Sequence, residues 1–129
     1  MNEDAGGLSG RIVGAAICVH EELGPGFLEG VYEEALCAEL TARGMRFQRQ
    51  LPVAIRSRDR LVGEHRLDSV VEDQIVVELK AISGFESIHF ATVRSYLKAT
   101  NCSLGLRLNF ASATLQIKRV GREWHSNAE

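Results

Sequence analysis

Apolar positions along the chain keep two different periods, and the change from one to the other divides it into helical and extended stretches. Ile12, Val13, Ala16, Ile17 and Leu23 recur at helical spacing after Ser9, a residue suited to capping a helix start. Gly24, Pro25 and Gly26 then stop the pattern. It resumes over residues 28–43, where Val31, Tyr32, Ala35, Leu36 and Leu40 form one stripe and Gly44 stands where a helix ends in a left-handed cap. From residue 47 the period shortens to two. β-Rich runs cover 47–55, with Pro52 pointing to an edge, then 61–67 after the polar turn SRDR, then 69–71 and 75–82, which together read as an antiparallel meander. Helical spacing returns over 87–100 through Ile88, Phe90, Val93 and Leu97, and strands over 104–110 and 115–120 flank the turn ASAT. The predicted order is ααβββαββ. Residues 1–7 are expected to be a disordered leader, 8–122 a single domain and 123–129 a C-terminal tail.

Length and composition fit that division. With 129 residues, 45% of them hydrophobic, the chain fills one core and falls short of two of ordinary size. Cys18, Cys37 and Cys102 are odd in number and widely spaced, which suggests neither a disulfide framework nor a structural zinc site and points to a reducing, cytoplasmic compartment. Met1 is followed by acidic and glycine-rich residues instead of a basic then apolar stretch, and no apolar run approaches the roughly 20 residues that cross a bilayer, so no membrane partner is expected.

The charge total, −2 from 15 Lys+Arg and 17 Asp+Glu, is not the footprint of a protein that grips nucleic acid by bulk electrostatics. Its distribution is uneven. Acids crowd the start (Glu21, Glu22, Glu29, Glu33, Glu34, Glu39), whereas seven arginines between Arg43 and Arg66 are opposed after residue 43 only by Asp59 and Glu64. Such asymmetry is compatible with a phosphate-facing side, and equally with guarded strand edges on a solvated surface.

Charges occupy unusual places in the segment HRLDSVVEDQIVVELKAI. Ile75, Val76, Val77, Leu79 and Ile82 describe a buried strand, yet Glu78 and Lys80, two residues apart, project from one face of it. If Glu72, Asp73 and Gln74 form a three-residue hairpin turn, Asp68 falls opposite Glu78 on the neighbouring strand. Two carboxylates and an ammonium then meet at one spot. Hydrolysis of a phosphodiester asks for hard oxygen ligands around Mg²⁺ or Mn²⁺, a role for Asp68 and Glu78, and for a group that orients or deprotonates water, a role for Lys80. Spacing alone favours the plainer alternative, an ordinary surface ion pair between Glu78 and Lys80.

Several spaced motifs extend beyond that segment. Gly26, Glu29 and Tyr32 stand inside VHEELGPGFLEGVYEEAL, Asp68 precedes Glu78-Leu79-Lys80, and YLKAT (residues 96–100) and LNF (108–110) follow in order. Over residues 12–120 the chain resembles the GxxExxY family of small bacterial proteins, within the PD-(D/E)XK nuclease-like superfamily. That resemblance implies an α+β fold, an α/β sandwich with a restriction-endonuclease-like core αβββαβ, here carrying an extra N-terminal helix and a C-terminal strand. It also implies metal ligation by Asp68, Glu78 and the backbone of Leu79, a water-activating role for Lys80, and Glu29 as the helix acid that completes such sites. Tyr32, one turn after Glu29, is expected to contact substrate. Related families carry Gln-x-x-x-Tyr on the helix after the ExK strand. Here that pattern reads Thr92 to Tyr96, a departure that puts activity in question, while His89 and Tyr96 share a face that is expected to line the cleft.

Other positions read more plainly. His20 is expected to be a hydrogen-bonded structural residue, Glu39 an i,i+4 partner of Arg43, and Trp124 and His125 a cover for the sheet end. His65 and Arg66 flank the Asp68 strand and are candidates for phosphate contact. The leading expectation is a Mg²⁺-dependent (or Mn²⁺-dependent) nuclease acting on nucleic acid, DNA ahead of RNA, with a homodimer as an option by analogy. The alternative is a catalytically inactive nuclease-like module that binds a protein or nucleic-acid partner.

Overall fold

The structure, a computed structural model, describes residues 3–82 and 88–121, with side chains described over 7–82 and 93–121. Its elements are α1 (Glu3–Leu23), α2 (Glu29–Ala42), β1 (Phe47–Ser57), β2 (Arg60–Val71), β3 (Ile75–Lys80), α3 (Ile88–Thr100), β4 (Leu104–Asn109) and β5 (Gln116–Gly121). The expected order ααβββαββ is the observed one. One five-stranded sheet runs β1-β2-β3-β4-β5, antiparallel throughout except for the parallel pair β3–β4 that α3 connects. Pro52 lies on β1, an edge strand, as a residue without an N–H should.

The ends of the elements follow from local chemistry. Gly44 (φ 81) ends α2 in a Schellman arrangement: its own N–H reaches the Thr41 carbonyl at 3.0 Å and the Met45 N–H reaches the Leu40 carbonyl at 3.0 Å. The SRDR turn closes as a two-residue hairpin loop, Ser57 pairing with Arg60, with Arg58 (φ 51) and Asp59 (φ 66) both left-handed. Ser9 does not cap α1. The helix starts at Glu3, so it takes in most of the expected leader, and Ser9 is a buried residue within it. Ile17 and Val31, placed on the apolar stripes by their spacing, are exposed, and Cys37 takes a core position on α2 instead.

The sheet is covered on both faces. Ile75, Val77 and Leu79 of β3 join Leu106 and Leu108 of β4 in a cluster with α1 and α2, while Val76 joins Val93, Tyr96 and Leu97 of α3 on the other face. This is why β3 and β4 read as near-continuous apolar runs. Along the β1–β2 hairpin, however, the alternation inverts. Phe47 and Val71 pack with the α1/α2 cluster, but Leu51, Val53 and Leu67, of the same parity, belong to the α3 cluster. The register pairs Arg49 with Ser69 and Leu51 with Leu67, leaving Gln50 and Asp68 between them without a ladder pair, and Gln50 has a left-handed backbone (φ 52). A single left-handed residue rotates the rest of the strand, so the hairpin changes faces at Gln50 and Asp68.

Close approach of α3 to the sheet depends on Gly105, where a Cβ would stand 2.6 Å from Val93 Cγ1 and 3.5 Å from Leu97 Cδ2. Gly105→Ala is expected to destabilise the protein by about 1–3 kcal/mol through overpacking, and Val93→Ala in the same chain to recover part of the loss. Denaturant unfolding of the two variants measures both effects.

Candidate active site

The β2–β3 register pairs Val71 with Ile75, Val70 with Val76 and Ser69 with Val77, which is the register of a three-residue turn and would set Asp68 against Glu78 one step further. The ladder stops before that step because the hairpin changes faces there. The Leu79 N–H, left without a strand carbonyl, instead donates to Asp68 Oδ2 at 2.7 Å. The side chain of Leu79 lies in the apolar cluster, so only its backbone faces the carboxylate.

Glu78 and Lys80 share one face of β3, and Lys80 Nζ lies 3.6 Å from Glu78 Oε2. On the parallel neighbour β4, Glu78 is in register with Arg107 and Lys80 with Asn109. Arg107 is fully buried, with Nη1 3.2 Å from Glu78 Oε1, so Glu78 also takes part in a buried ion pair beside the Lys80 contact that spacing allows. Asn109, also buried, donates from Nδ2 to the Ile82 carbonyl at 2.8 Å and accepts the Ile82 N–H at 3.1 Å. It thereby fixes the chain as it leaves Lys80. Spacing on β3 gave no hint of these two β4 residues. The visible signal was a charge and an amide inside the apolar run LGLRLNF.

Electrostatics mark Asp68 as the strained member. Burial, opposed by the Leu79 hydrogen bond, and the nearby charges of Glu78, Glu33 and Glu29 push its pKa up to about 6. Glu33, one turn beyond Glu29 on α2, adds its charge beside Glu29, a contribution that the sequence reading did not single out. It is held by Gln50 Nε2 at 3.0 Å and Arg49 at 3.2 Å. From the other face, Tyr96 of α3 contacts His65 Nδ1 through its hydroxyl at 3.3 Å, and burial together with the Glu78 and Asp68 charges pushes its pKa up to about 12. Its hydroxyl therefore keeps its proton at neutral pH.

Of the expected substrate contacts, Tyr32 takes another role. Tyr32 is fully buried, stacked on Phe110 at 4.5 Å, with its hydroxyl donating to the Gly24 carbonyl at 2.6 Å and accepting the Phe27 N–H at 3.1 Å. It pins the Gly-Pro-Gly turn, where Gly26 has a left-handed backbone (φ 116), and leaves no surface for substrate. Arg66, exposed, donates to the Gln50 carbonyl at 3.2 Å and so ties the two strands where they change faces. His20 is structural as expected, its Nε2 2.9 Å from the Ser112 carbonyl, and Glu39 pairs with Arg43 at 2.8 Å. The side chains of His89 and Thr92, and residues Trp124 and His125, lie outside the described residues.

The donor set suits a hard divalent cation. Two carboxylates come from adjacent strands, and the acids around Asp68 raise its pKa, an excess of negative charge that a cation relieves. Among the described residues, no three His, Cys, Asp or Glu side chains close on one point. Glu29 bears on Asp68 through its charge. No described helix is long and apolar enough to cross a membrane.

A mixed sheet between helices, with an acid at the strand fork and a Glu-x-Lys strand beside it, defines a nuclease-type α/β sandwich. The chain belongs to the PD-(D/E)XK nuclease superfamily, whose family profile matches residues 7–120. The crystal structure of SSO0001 is similar in fold, with a TM-score of 0.58 and 12% sequence identity over 76% of this chain and 52% of that one. The chain thus spans about half the length of that protein. Comparison with curated proteins finds no match.

Because the folded carboxyl of Asp68 titrates near 6 against an ordinary 3.8, the folded state holds more protons than the unfolded between those values. Its contribution to stability is therefore lost as pH rises through that window. Asp68→Asn is expected to stabilise the metal-free protein by about 1–2 kcal/mol at pH 7.5, discounted for partial exposure, with the gain vanishing near pH 4. Thermal unfolding of both proteins across pH 4–8 reads the difference.

Proposed function

We propose that this chain is a Mg²⁺-dependent or Mn²⁺-dependent nuclease that hydrolyses nucleic-acid phosphodiester bonds, with DNA the preferred class. The observation that carries the reading is the half-buried Asp68, held by the Leu79 amide where the β2–β3 register would set it against Glu78, with the charges of three acids nearby. Asp68, Glu78 and the Leu79 carbonyl would hold the cation, with Glu29 and Glu33 adding negative potential from α2. When bound, such a cation would neutralise phosphate charge and lower the pKa of a bound water below that of bulk water. Lys80, held beside Glu78, orients the attacking water and takes its proton or stabilises the charged phosphorus centre. Tyr96, kept protonated and braced by His65, donates a hydrogen bond to a phosphate oxygen. The assay is cleavage of single- and double-stranded DNA and RNA with Mg²⁺ or Mn²⁺. Lys80→Ala and Asp68→Asn are each expected to lower the rate by at least about 100-fold, and unchanged activity in both would sink the assignment.

A second reading, a non-catalytic nuclease-like module that binds a partner, is favoured by one observation: Glu78 is already engaged by Arg107 and Lys80. Calorimetry with Mg²⁺ separates the two. A functional site binds the cation at pH 7, loses it in Asp68→Asn and Glu78→Gln, and binds about tenfold more weakly at pH 5, where Asp68 must first lose a proton. No heat of binding under any of these conditions supports the module.

A further inference from the structure

The β1–β2 pair outruns the sheet. β3 pairs only with Ser69, Val70 and Val71 of β2, so from the face change at Gln50 and Asp68 outward the hairpin is a ribbon of two strands, and every residue from Arg56 to Val62 is exposed. Arginines on the two sides of this fork differ in kind. Arg43, Arg46 and Arg49 are closed on Glu39, Glu72 and the pair Glu33 and Glu34. Arg56, Arg58 and Arg60, at the ribbon tip, have no ion-pair partner among the described residues. Beside them stand two large apolar side chains in water, Leu61 at 63% and Val62 at 61% exposure. Arg58 holds its charge at a left-handed turn position that glycine or asparagine fills at less cost.

We propose that the ribbon tip is a second contact surface for duplex DNA, with Arg56, Arg58 and Arg60 on phosphates and Leu61 and Val62 against the groove. The proposal rests on the nuclease reading for its link to cleavage, but not for binding. Shape selects the ligand: the major groove of B-form DNA, about 12 Å wide, admits a two-stranded β-ribbon, whereas the narrow major groove of duplex RNA does not. Exposed guanidinium groups without acidic partners release phosphate counterions at no cost of breaking a protein ion pair. Asp68 lies eight positions from Arg60 along β2, roughly 25 Å of extended chain, so the tip meets the duplex about seven base pairs from the phosphate at the carboxylates.

Fluorescence anisotropy with the full chain tests this in an Asp68→Asn background, which holds DNA uncut. Adding Arg56→Gln, Arg58→Gln and Arg60→Gln together is expected to weaken binding to a 30-base-pair duplex about tenfold or more at 100 mM salt. The plot of log affinity against log salt becomes shallower by roughly two to three units. Replacing the three by lysine instead keeps most of the slope, and a 6-base-pair duplex, too short to span site and tip, shows no difference between the proteins. Unfolding curves that coincide establish that the variants are folded. Equal affinity and equal slope for the glutamine variant would overturn the proposal, as would the same arm dependence on a 30-base-pair RNA duplex. Failure of the nuclease reading looks different: the unmutated chain cuts nothing with Mg²⁺ or Mn²⁺ while arm-dependent, salt-sensitive DNA binding persists.

Discussion

The hydrogen bond from the Leu79 amide to the Asp68 carboxylate stands where two demands on the sheet collide. β3 is apolar on both faces and pairs along its whole length with β4, so it must stay flat in the centre of the sandwich. β2 must leave that centre to follow β1, whose left-handed Gln50 turns the hairpin over. Departure of β2 strips β3 of carbonyl partners just where Glu78 and Lys80 lie. An unpaired buried amide is costly, and the carboxylate that replaces the strand carbonyl removes that cost while placing a charge at the fork. The same substitution that repairs the backbone therefore creates the polar site.

Its two carboxylates are compensated very differently. Glu78 is engaged by a fully buried guanidinium and by the Lys80 ammonium, and a buried pair of this kind repays desolvation only through close geometry and further hydrogen bonds. Asp68 has one amide hydrogen bond and the charges of three acids against it. On the proposed reading, a cation at the fork would gain most from Asp68, where the acids around it concentrate negative potential. Arg107 and Lys80 hold Glu78 in place, so its carboxylate is already positioned. The fork acid attracts, while the strand acid is already fixed.

Much of this was legible along the chain because it depends on period and on turn length. Helical and extended spacing gave the order of elements, the three residues Glu72 to Gln74 gave the β2–β3 register, and Gly44 gave the end of α2. What stayed hidden depends on partners distant in sequence. Tyr32 reads as a stripe residue whose hydroxyl or ring reaches substrate beside Glu29 until Gly24, Phe27 and Phe110 close around it. Ser9 has the chemistry of a helix cap, yet tertiary burial outweighs it and α1 continues past it toward the N-terminus. Arg107 needs the parallel pairing of β3 with β4 before it becomes a partner of Glu78, and no local pattern specifies that pairing. The face change at Gln50 is the least visible, because glutamine carries no turn signal and the alternation on either side of it looks regular.

Charge makes the same point about distance. The total of −2 is not the footprint of a protein that grips nucleic acid by bulk charge, and the uneven distribution along the chain leaves the question open. Folding, however, sorts the arginines by position relative to the fork. Those before it are spent against the acids of α2 and the β2–β3 turn, and those beyond it are carried outward on a ribbon whose own acids, Asp59 and Glu64, are outnumbered by its arginines. A chain that is slightly acidic as a whole thus presents an acidic point at the fork and a basic tip roughly 25 Å along the ribbon. On the proposed reading, that separation would let positive charge hold a phosphodiester backbone at a distance from the place where a cation is attracted. Had the hairpin stayed in the plane of the sheet, its arginines would lie beside β3 and neutralise the acids on which the site depends.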